Sequence, residues 1–223
     1  AGLHRGEEPP ISGEVGSGMI FFSGCPLHCA YCQNRQISSR NGYGMEIGIE
    51  ELSALMLALQ GMGTKTLNLV TGTHFIPSIV EALIGAKQKG LTLDVVWNSS
   101  GFESIEGLSL IDPSIDLYLI DLKTLDEGVS SRFCGSVRYQ RSILRVYDYL
   151  IKKGRNTFID EDGLLKGVLV RHLLFPGEPA ATEEVLRYFA DHLKESMHLS
   201  LMVQFEDPQG MNRFSKVSQE EYD

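Results

Sequence analysis

The sequence predicts an α/β fold: a single domain whose parallel sheet is curved into a partial (β/α)6 barrel. Six short apolar runs alternate along the chain with segments of helical periodicity, and parallel strands need such crossover segments. Parallel sheets are covered on both faces, so nearly continuous apolar runs are typical of their strands. Six units are too few for a closed eight-stranded barrel, so an open barrel and a doubly wound sheet remain. Either places chemistry at the carboxyl ends of the strands.

Each predicted element follows from its own pattern. The first strand, 19–23, is an apolar run that ends at Gly24, directly before three closely spaced cysteines. The first long helix, 48–61, repeats apolar residues on one face, while the polar stretch 154–166 contains an Asp-Gly pair that predicts a loop or hairpin. The last helix is expected to begin at Thr182, an N-cap residue type followed by two glutamates. The other predicted strands are 67–71, 92–97, 117–121, 167–175 and 199–205, and the other helices are 76–89, 103–110, 137–153 and 182–194.

The chain is expected to form one domain between two short terminal segments. Residues 1–18 are predicted to be an N-terminal lead-in, 19–206 the partial barrel and 207–223 a C-terminal tail. Within the lead-in, Glu7 and Glu8 precede two prolines. They either line the entrance of the barrel or belong to an ordered surface segment.

The charge balance limits the kinds of partner that the protein binds. A formal net charge of -9 argues against a broad surface for nucleic acid or for an anionic membrane. No run approaches the roughly 20 apolar residues that a membrane span needs, and no signal-like segment begins the chain. We therefore expect a cytoplasmic protein that binds neither nucleic acid nor membrane.

Three of the four cysteines lie close together, which indicates a metal site rather than a disulfide framework. Cys25, Cys29 and Cys32 have the spacing C-x3-C-x2-C and follow a predicted strand. Three thiolates can each hold one iron of a 4Fe-4S cluster, which leaves the fourth iron without a protein ligand. A structural zinc ion would need a fourth Cys or His, and His28 is cramped between two of the cysteines, so zinc is the weaker alternative.

This cysteine spacing resembles the motif of the radical S-adenosylmethionine (SAM) superfamily, which has an aromatic residue before the third cysteine, here Tyr31. The longer string GSGMIFFSGCPLHCAYCQN is similar to the pyruvate formate-lyase activating enzyme branch and its uncharacterised relatives. The resemblance implies a 4Fe-4S cluster on Cys25, Cys29 and Cys32, with SAM bound to the open iron. Reductive cleavage of SAM would then give a 5'-deoxyadenosyl radical, with a flavodoxin- or ferredoxin-type protein as reductant. Tyr31 would contact the adenine, although a packing role is the alternative.

The ends of the second and third strands depart from the pattern of that branch. Gly72 permits close backbone approach, but Thr73 stands where the branch has an acid. The ammonium group of SAM must therefore be bound by carbonyls, a hydroxyl or another carboxylate. Asn98 and Ser99 stand where relatives bind a monovalent cation and the SAM carboxylate. Because Asn98 is neutral, the cation site is left open, and an ordinary polar turn is the alternative.

The fourth to sixth strands add further candidates for cofactor binding. Asp121 and Lys123 point to the same side of an extended chain, where Lys123 could bind the methionine carboxylate or the two could form a surface ion pair. Arg171 is predicted to bind a carboxylate of the cofactor or the substrate, whereas His172 points to the opposite face. By resemblance, Gln204 stands near a histidine that contacts the ribose.

Three functional hypotheses are consistent with these residues. The first is an activase that abstracts hydrogen from a glycine of a partner enzyme, and the second is a radical enzyme that acts on a small molecule or peptide. The third is an iron-sulfur electron-transfer or sensor protein, against which the charged residues at the strand ends argue. Because only 154–166 and the tail are left to form a lid, we expect the mouth of the barrel to open toward a protein or peptide. The fourth cysteine, Cys134, has no partner cysteine nearby in the sequence and is expected to be a small buried residue.

Overall fold

The structure is a computed structural model that describes residues 1–39, 43–206 and 218. Its strands are β1 (Gly2–His4), β2 (Ser17–Phe21), β3 (Thr66–Val70), β4 (Asp94–Ser99), β5 (Leu117–Asp121), β6 (Phe158–Ile159), β7 (Leu165–Leu173) and β8 (His198–Met202). Its helices are α1 (Pro9–Ser12), α2 (Arg35–Ser38), α3 (Ile49–Gly61), α4 (Ile76–Gln88), α5 (Ile105–Ile111), α6 (Glu127–Val129), α7 (Tyr139–Lys152) and α8 (Pro179–Tyr188). Short 3-10 turns lie at Thr73–Phe75 and Asp112–Ser114, and π-helical turns lie at Ser130–Cys134 and Phe189–Leu193.

The central sheet is mostly parallel. Strands β2, β3, β4, β5, β7 and β8 pair in that order, each parallel to the next. The short strands β1 and β6 pair antiparallel to β2 and β7. No pairing within the described residues joins β2 to β8, so the sheet is not closed. The predicted α/β fold with a partial barrel is confirmed.

Apolar side chains cover both faces of the sheet, as the continuous apolar runs predicted. On the outer face, residues such as Leu67, Trp97 and Tyr118 pack against the long helices in the main hydrophobic core. On the inner face a smaller cluster contains Val96, Leu119 and residues of β7. Burial of both faces explains why the strands carry few polar residues below their carboxyl ends.

The segment 1–18 is built into the domain. Strand β1 extends the sheet beyond β2, and β2 itself begins at Ser17. Helix α1 places Ile11, which is fully buried, in the inner-face cluster. The N-terminal segment therefore fills part of the barrel interior. Of the predicted tail, all but Ser218 lies outside the described residues.

Substitution Ile11→Ala should destabilise the protein by about 2 to 5 kcal/mol, because it leaves a cavity in the inner cluster. Denaturant unfolding would measure the change. Ile84→Ala is the matched control, since this isoleucine is 51% exposed and its loss should cost much less. Equal effects of the two substitutions would mean that α1 is not packed into the barrel.

The structure refines two other predicted elements, the last helix and the stretch 154–166. Helix α8 begins at Pro179 rather than Thr182, because proline is favoured in the first turn, where its missing N–H is not needed. The stretch 154–166 forms a hairpin in which Asp160 Oδ1 accepts a hydrogen bond from the Leu164 N–H at 2.8 Å. No helix in the described part of the chain is long and apolar enough to cross a bilayer.

Candidate functional site

The cysteine loop follows β2 and is closed at its base. Gly24 has a φ of 83°, which favours glycine, and its N–H donates to the Ile37 carbonyl at 2.8 Å. His74, which follows β3, lies with Nε2 2.7 Å from the Ser23 carbonyl oxygen. Hydrogen bonds therefore fix the backbone of Ser23 and Gly24, directly before the first cysteine, Cys25.

A second segment, 130–135, braces the loop from the side. The Ala30 N–H donates to the Phe133 carbonyl at 2.8 Å. Gly135 has a φ of 74°, and a Cβ added there would lie 2.9 Å from the His28 carbonyl oxygen. Both the positive φ and the close approach to His28 require a glycine at position 135. Segment 130–135 and the cysteine loop therefore pack closely together.

Cys134 lies against one of the predicted cluster ligands. It is fully buried, and the Sγ of Cys29 is 4.0 Å from its carbonyl oxygen. A separate hydrogen bond from the Cys134 side chain lowers the pKa of the Cys29 thiol, and the nearby Lys123 ammonium adds to that effect against the cost of burial. The predicted burial of Cys134 is confirmed, and the residue is a free cysteine whose neighbour in space is Cys29. The contact joins residues far apart in the chain, which no local pattern reveals.

The three predicted ligands are partly buried on one loop. Burial raises the pKa of the Cys25 thiol to about 11. The Sγ of Cys32 lies 3.1 Å from Ser38 Oγ. In the part of the chain that the structure describes, no three His, Cys, Asp or Glu side chains form a ready-made metal site. A 4Fe-4S cluster does not need such a single-ion site, because each of the three thiolates binds a different iron.

Tyr31 is buried among aromatic side chains. Its ring centroid lies 6.4, 5.0 and 5.6 Å from those of Phe133, Phe175 and Phe205. Lys123 Nζ lies 5.6 Å from the same centroid. The ring is thus a packing residue, and it also forms the apolar wall beside the charged lysine.

Asp121 and Lys123 form an ion pair at the carboxyl end of β5, with Lys123 Nζ 2.6 Å from Asp121 Oδ2. Tyr139 of α7 fixes the backbone here, because its hydroxyl donates to the Asp121 carbonyl and accepts from the Lys123 N–H at 3.0 Å. Burial alone would lower the pKa of Lys123, but the negative charges of Asp121 and its neighbours raise that pKa well above its usual value. Lys123 is therefore a firmly charged cation beside Tyr31.

Arg171 binds two carboxylates of the N-terminal segment. Its Nε donates to Glu8 Oε1 at 3.0 Å, and its Nη2 donates to both Glu7 and Glu8. Burial would lower the pKa of Arg171, but the hydrogen bond to Glu8 and the charges of both glutamates raise it. Glu8 thus occupies the Nε and Nη2 side of the Arg171 guanidinium, the group that was expected to bind a carboxylate of the cofactor or the substrate. Of the two alternatives for the glutamates, their contacts with the inward-facing Arg171 favour the entrance of the barrel over a surface segment.

His172 faces away from Arg171, as predicted from strand alternation. It is buried, with Nδ1 2.7 Å from the Leu122 carbonyl oxygen and Nε2 3.1 Å from Thr182 Oγ1. Burial lowers the pKa of His172. This histidine therefore joins β5, β7 and α8 outside the barrel interior.

Glu103 was missed by the sequence analysis, although it contacts one of the candidates. The Thr73 hydroxyl donates to Glu103 Oε1 at 2.8 Å, and Trp97 Nε1 donates to the same oxygen at 3.3 Å. Glu103 is buried, and burial raises its pKa. A carboxylate thus stands beside Thr73, although it comes from another loop. The available signal was that Glu103 follows the polar turn after β4, at the same edge of the sheet.

Gly72, Asn98 and Ser99 all lie at this edge. A Cβ on Gly72 would lie 2.9 Å from the Trp97 ring, so packing alone requires a glycine there. Asn98 pairs in register with Val70 on β3 and is half-buried. Ser99 is buried and its Oγ accepts from the Gly101 N–H at 3.1 Å. The last two therefore occupy the carboxyl end of β4, as predicted.

Gln204 lies beyond the end of β8 rather than within it. The strand ends at Met202, and the Gln204 side-chain oxygen accepts from the Val203 N–H at 3.0 Å. Its side chain is exposed. The structure thus leaves Gln204 at the margin of the strand ends.

Together these features define an α/β protein with a parallel sheet and a thiol-rich loop beside a partly buried Asp-Lys pair. The sequence model of the Radical SAM superfamily matches residues 19–189. The chain belongs to the radical SAM superfamily. Members of this superfamily use a 4Fe-4S cluster together with SAM.

Individual relatives are more distant. The chain is 27% identical over 210 residues to the uncharacterised protein MJ0674 of Methanocaldococcus jannaschii, covering 91% of this chain and 56% of that protein. The chain thus spans about half the length of this curated relative. The hydrogenase maturase HydG of Carboxydothermus hydrogenoformans is similar in structure, with a TM-score of 0.61, 12% identity, and coverage of 92% of this chain and 48% of HydG. Streptococcus suis SuiB bound to its precursor peptide SuiA gives a TM-score of 0.60, 12% identity, and coverage of 89% and 42%.

The residues present fit the cluster by their chemistry. Three thiols on one short loop supply the three iron ligands that a site-open cubane requires, and a hydrogen bond favours the thiolate of Cys29. Lys123 adds a positive charge that favours the thiolate forms of Cys25 and Cys29. The donor set therefore suits an iron-sulfur cluster with one open iron better than a four-coordinate zinc ion.

Proposed function

We propose that this chain holds a 4Fe-4S cluster on Cys25, Cys29 and Cys32 and reductively cleaves SAM to a 5'-deoxyadenosyl radical. The radical abstracts hydrogen from a peptide or protein, and a glycyl-radical enzyme activase of the pyruvate formate-lyase activating type is the specific role. The observation that carries the proposal is the partly buried Lys123–Asp121 pair directly beside the cysteine loop. When bound, the cluster supplies the electron for the cleavage.

The chain's own residues bind and orient SAM at the strand ends. Lys123 pairs with the methionine carboxylate, because it is charged and its position is fixed by Tyr139 through the backbone. The Tyr31 ring forms the wall for the adenine. The other contacts with SAM come from Gly72, Thr73, Asn98, Ser99, Asp121 and Gln204. Arg171 contributes its Nη1 group, since Nε and Nη2 donate to Glu7 and Glu8.

A peptide or protein as hydrogen donor is supported by two observations. The segment 154–166 forms a hairpin at the opposite, amino-terminal end of β7, so it does not cover the carboxyl ends of the strands. A partner that fills the mouth excludes water in place of a lid. SuiB, whose fold is similar, has been determined with its precursor peptide bound. The proposed reductant is a flavodoxin- or ferredoxin-type protein, and the proposed location is the cytoplasm.

The proposal is tested by anaerobic reconstitution, reduction with dithionite and chromatography for 5'-deoxyadenosine. We expect about four irons per chain and formation of 5'-deoxyadenosine that depends on SAM and reductant. Addition of the hydrogen-donating peptide or protein should accelerate that formation. A reconstituted and reduced cluster that leaves SAM intact would instead favour an electron-transfer or sensor protein.

A further inference from the structure

The N-terminal segment carries a charged cluster into the barrel interior, next to the proposed SAM site. Helix α1 packs Ile11 among inner-face residues, and the Thr66 hydroxyl on β3 donates to the Ile11 carbonyl at 3.1 Å. Glu7 and Glu8 directly precede this helix. They therefore lie where a substrate in the barrel would lie, although they come from outside the parallel sheet.

The charges of this cluster do not balance. Arg171 binds Glu7 and Glu8, and it is paired in register with Asp121, whose carboxylate binds Lys123. Three carboxylates thus face two cations, and the formal charge at neutral pH is one negative. The Glu7 side chain is only 4% exposed, whereas Glu8 and Asp121 are 24% and 32% exposed, so water screens this excess charge only in part. A buried charge without a counter-charge is unfavourable unless a partner neutralises it.

Asn68 points to the same deficit by an independent observation. It is fully buried on β3, and its Nδ2 donates to Glu7 Oε1 at 3.3 Å. Its Oδ1 has no hydrogen-bond partner among the described residues. A buried acceptor without a donor is costly, so a donor is missing beside Glu7.

The missing partner must carry hydrogen-bond donors, because Asn68 Oδ1 lacks one. It must also carry positive charge, because the carboxylates of the cluster outnumber its cations. We propose that Glu7, Glu8 and Asn68 form a substrate subsite for a cationic nitrogen group, an amine or a guanidine. An anionic group is disfavoured, since Glu8 already fills the carboxylate-binding edge of Arg171. This inference rests on the proposed function, because the subsite adjoins the Asp121–Lys123 pair proposed to bind SAM. The cation comes from a free amine or from a Lys or Arg side chain of a peptide.

Calorimetry on the anaerobically reconstituted protein tests the proposal with matched probes. Agmatine represents the free cation, and the blocked dipeptides acetyl-arginyl-glycinamide and acetyl-lysyl-glycinamide represent peptides. Acetyl-citrullinyl-glycinamide is the neutral counterpart of the arginyl probe. We expect at least one cationic probe to bind, and an arginyl probe to bind at least tenfold more tightly than the citrulline probe. Glu8→Gln and Glu7→Gln should each reduce that ratio toward one, whereas Glu183→Gln, on an exposed pair with Arg187, should leave it unchanged.

Three results would overturn the subsite. They are no binding of any cationic probe to the unmodified protein, no preference for charge, or a preference that survives both Glu7→Gln and Glu8→Gln. A fall in SAM affinity in these variants without any change in the probe ratio would assign the cation to SAM itself, which also refutes a substrate subsite. Formation of 5'-deoxyadenosine by the unmodified protein is measured separately, so failure of the subsite is distinguishable from failure of the proposed function.

Discussion

Substitution Cys29→Ala is expected to abolish cluster binding and, with it, formation of 5'-deoxyadenosine. The loop offers only three thiols, so the loss of one leaves two protein ligands for a cubane that needs three. Cys29 is the most informative of the three because its pKa is lowered by Cys134 and Lys123, which favours its thiolate. Iron content should fall from about four per chain to near zero, measured with the visible absorbance after anaerobic reconstitution.

Cys134→Ala is the matched control for this experiment. It removes a buried thiol that hydrogen-bonds with Cys29, but it removes no residue of the C-x3-C-x2-C loop. We expect about four irons to remain in this variant. Retention of the full absorbance by Cys29→Ala, or equal loss from both variants, would contradict the assignment of the three-cysteine loop.

The parallel sheet was predictable because burial on both faces gives its strands nearly continuous apolar runs in the sequence. Strand β5 was placed at 117–121, and it occupies Leu117–Asp121. Its side chains from Leu117 to Ile120 are all buried, so the apolar run coincides with the strand. Helix α7 likewise lies within the predicted range 137–153. When burial governs nearly every residue of a strand, as it does in β5, the apolar run is enough to predict that strand.

The N-terminal elements β1 and α1 have no such apolar run. Strand β1 has three residues, two of which are exposed, so it shows neither alternation nor an apolar run. Helix α1 is a single turn, and Ile11 is its only buried apolar residue. Both elements are held by the rest of the domain rather than by local propensity, and a local pattern does not record that.

The candidate site was predictable in its positions but not in its pairings. Strand alternation was enough to place Asp121 and Lys123 together, because they are two residues apart. The partners of Arg171 are more than 160 residues away in the chain, and Glu103 reaches Thr73 from the next loop. Such contacts depend on which strands become neighbours. They emerge only once the sheet order is known.

Substitution Lys123→Ala should weaken SAM binding by about tenfold to a hundredfold while the cluster is retained. Removal of one charged contact costs roughly 1.5 to 3 kcal/mol, and each 1.4 kcal/mol corresponds to about a tenfold change in affinity. The effect belongs at the upper end, because Asp121 would be left unpaired beside the SAM carboxylate that Lys123 is proposed to bind. Calorimetric titration of SAM into the reconstituted protein measures the change.

Lys123 tests the site more cleanly than Arg171 does, since Arg171→Ala would also leave Glu7 and Glu8 without their cation. Lys152→Ala, on the exposed end of α7, is the matched control and should leave SAM affinity unchanged. Lys123→Arg keeps the charge and should recover part of the affinity, because a longer guanidinium still reaches Asp121 but no longer fits the fixed position of the ammonium group. Unchanged affinity in Lys123→Ala would mean that the ion pair only stabilises the end of β5.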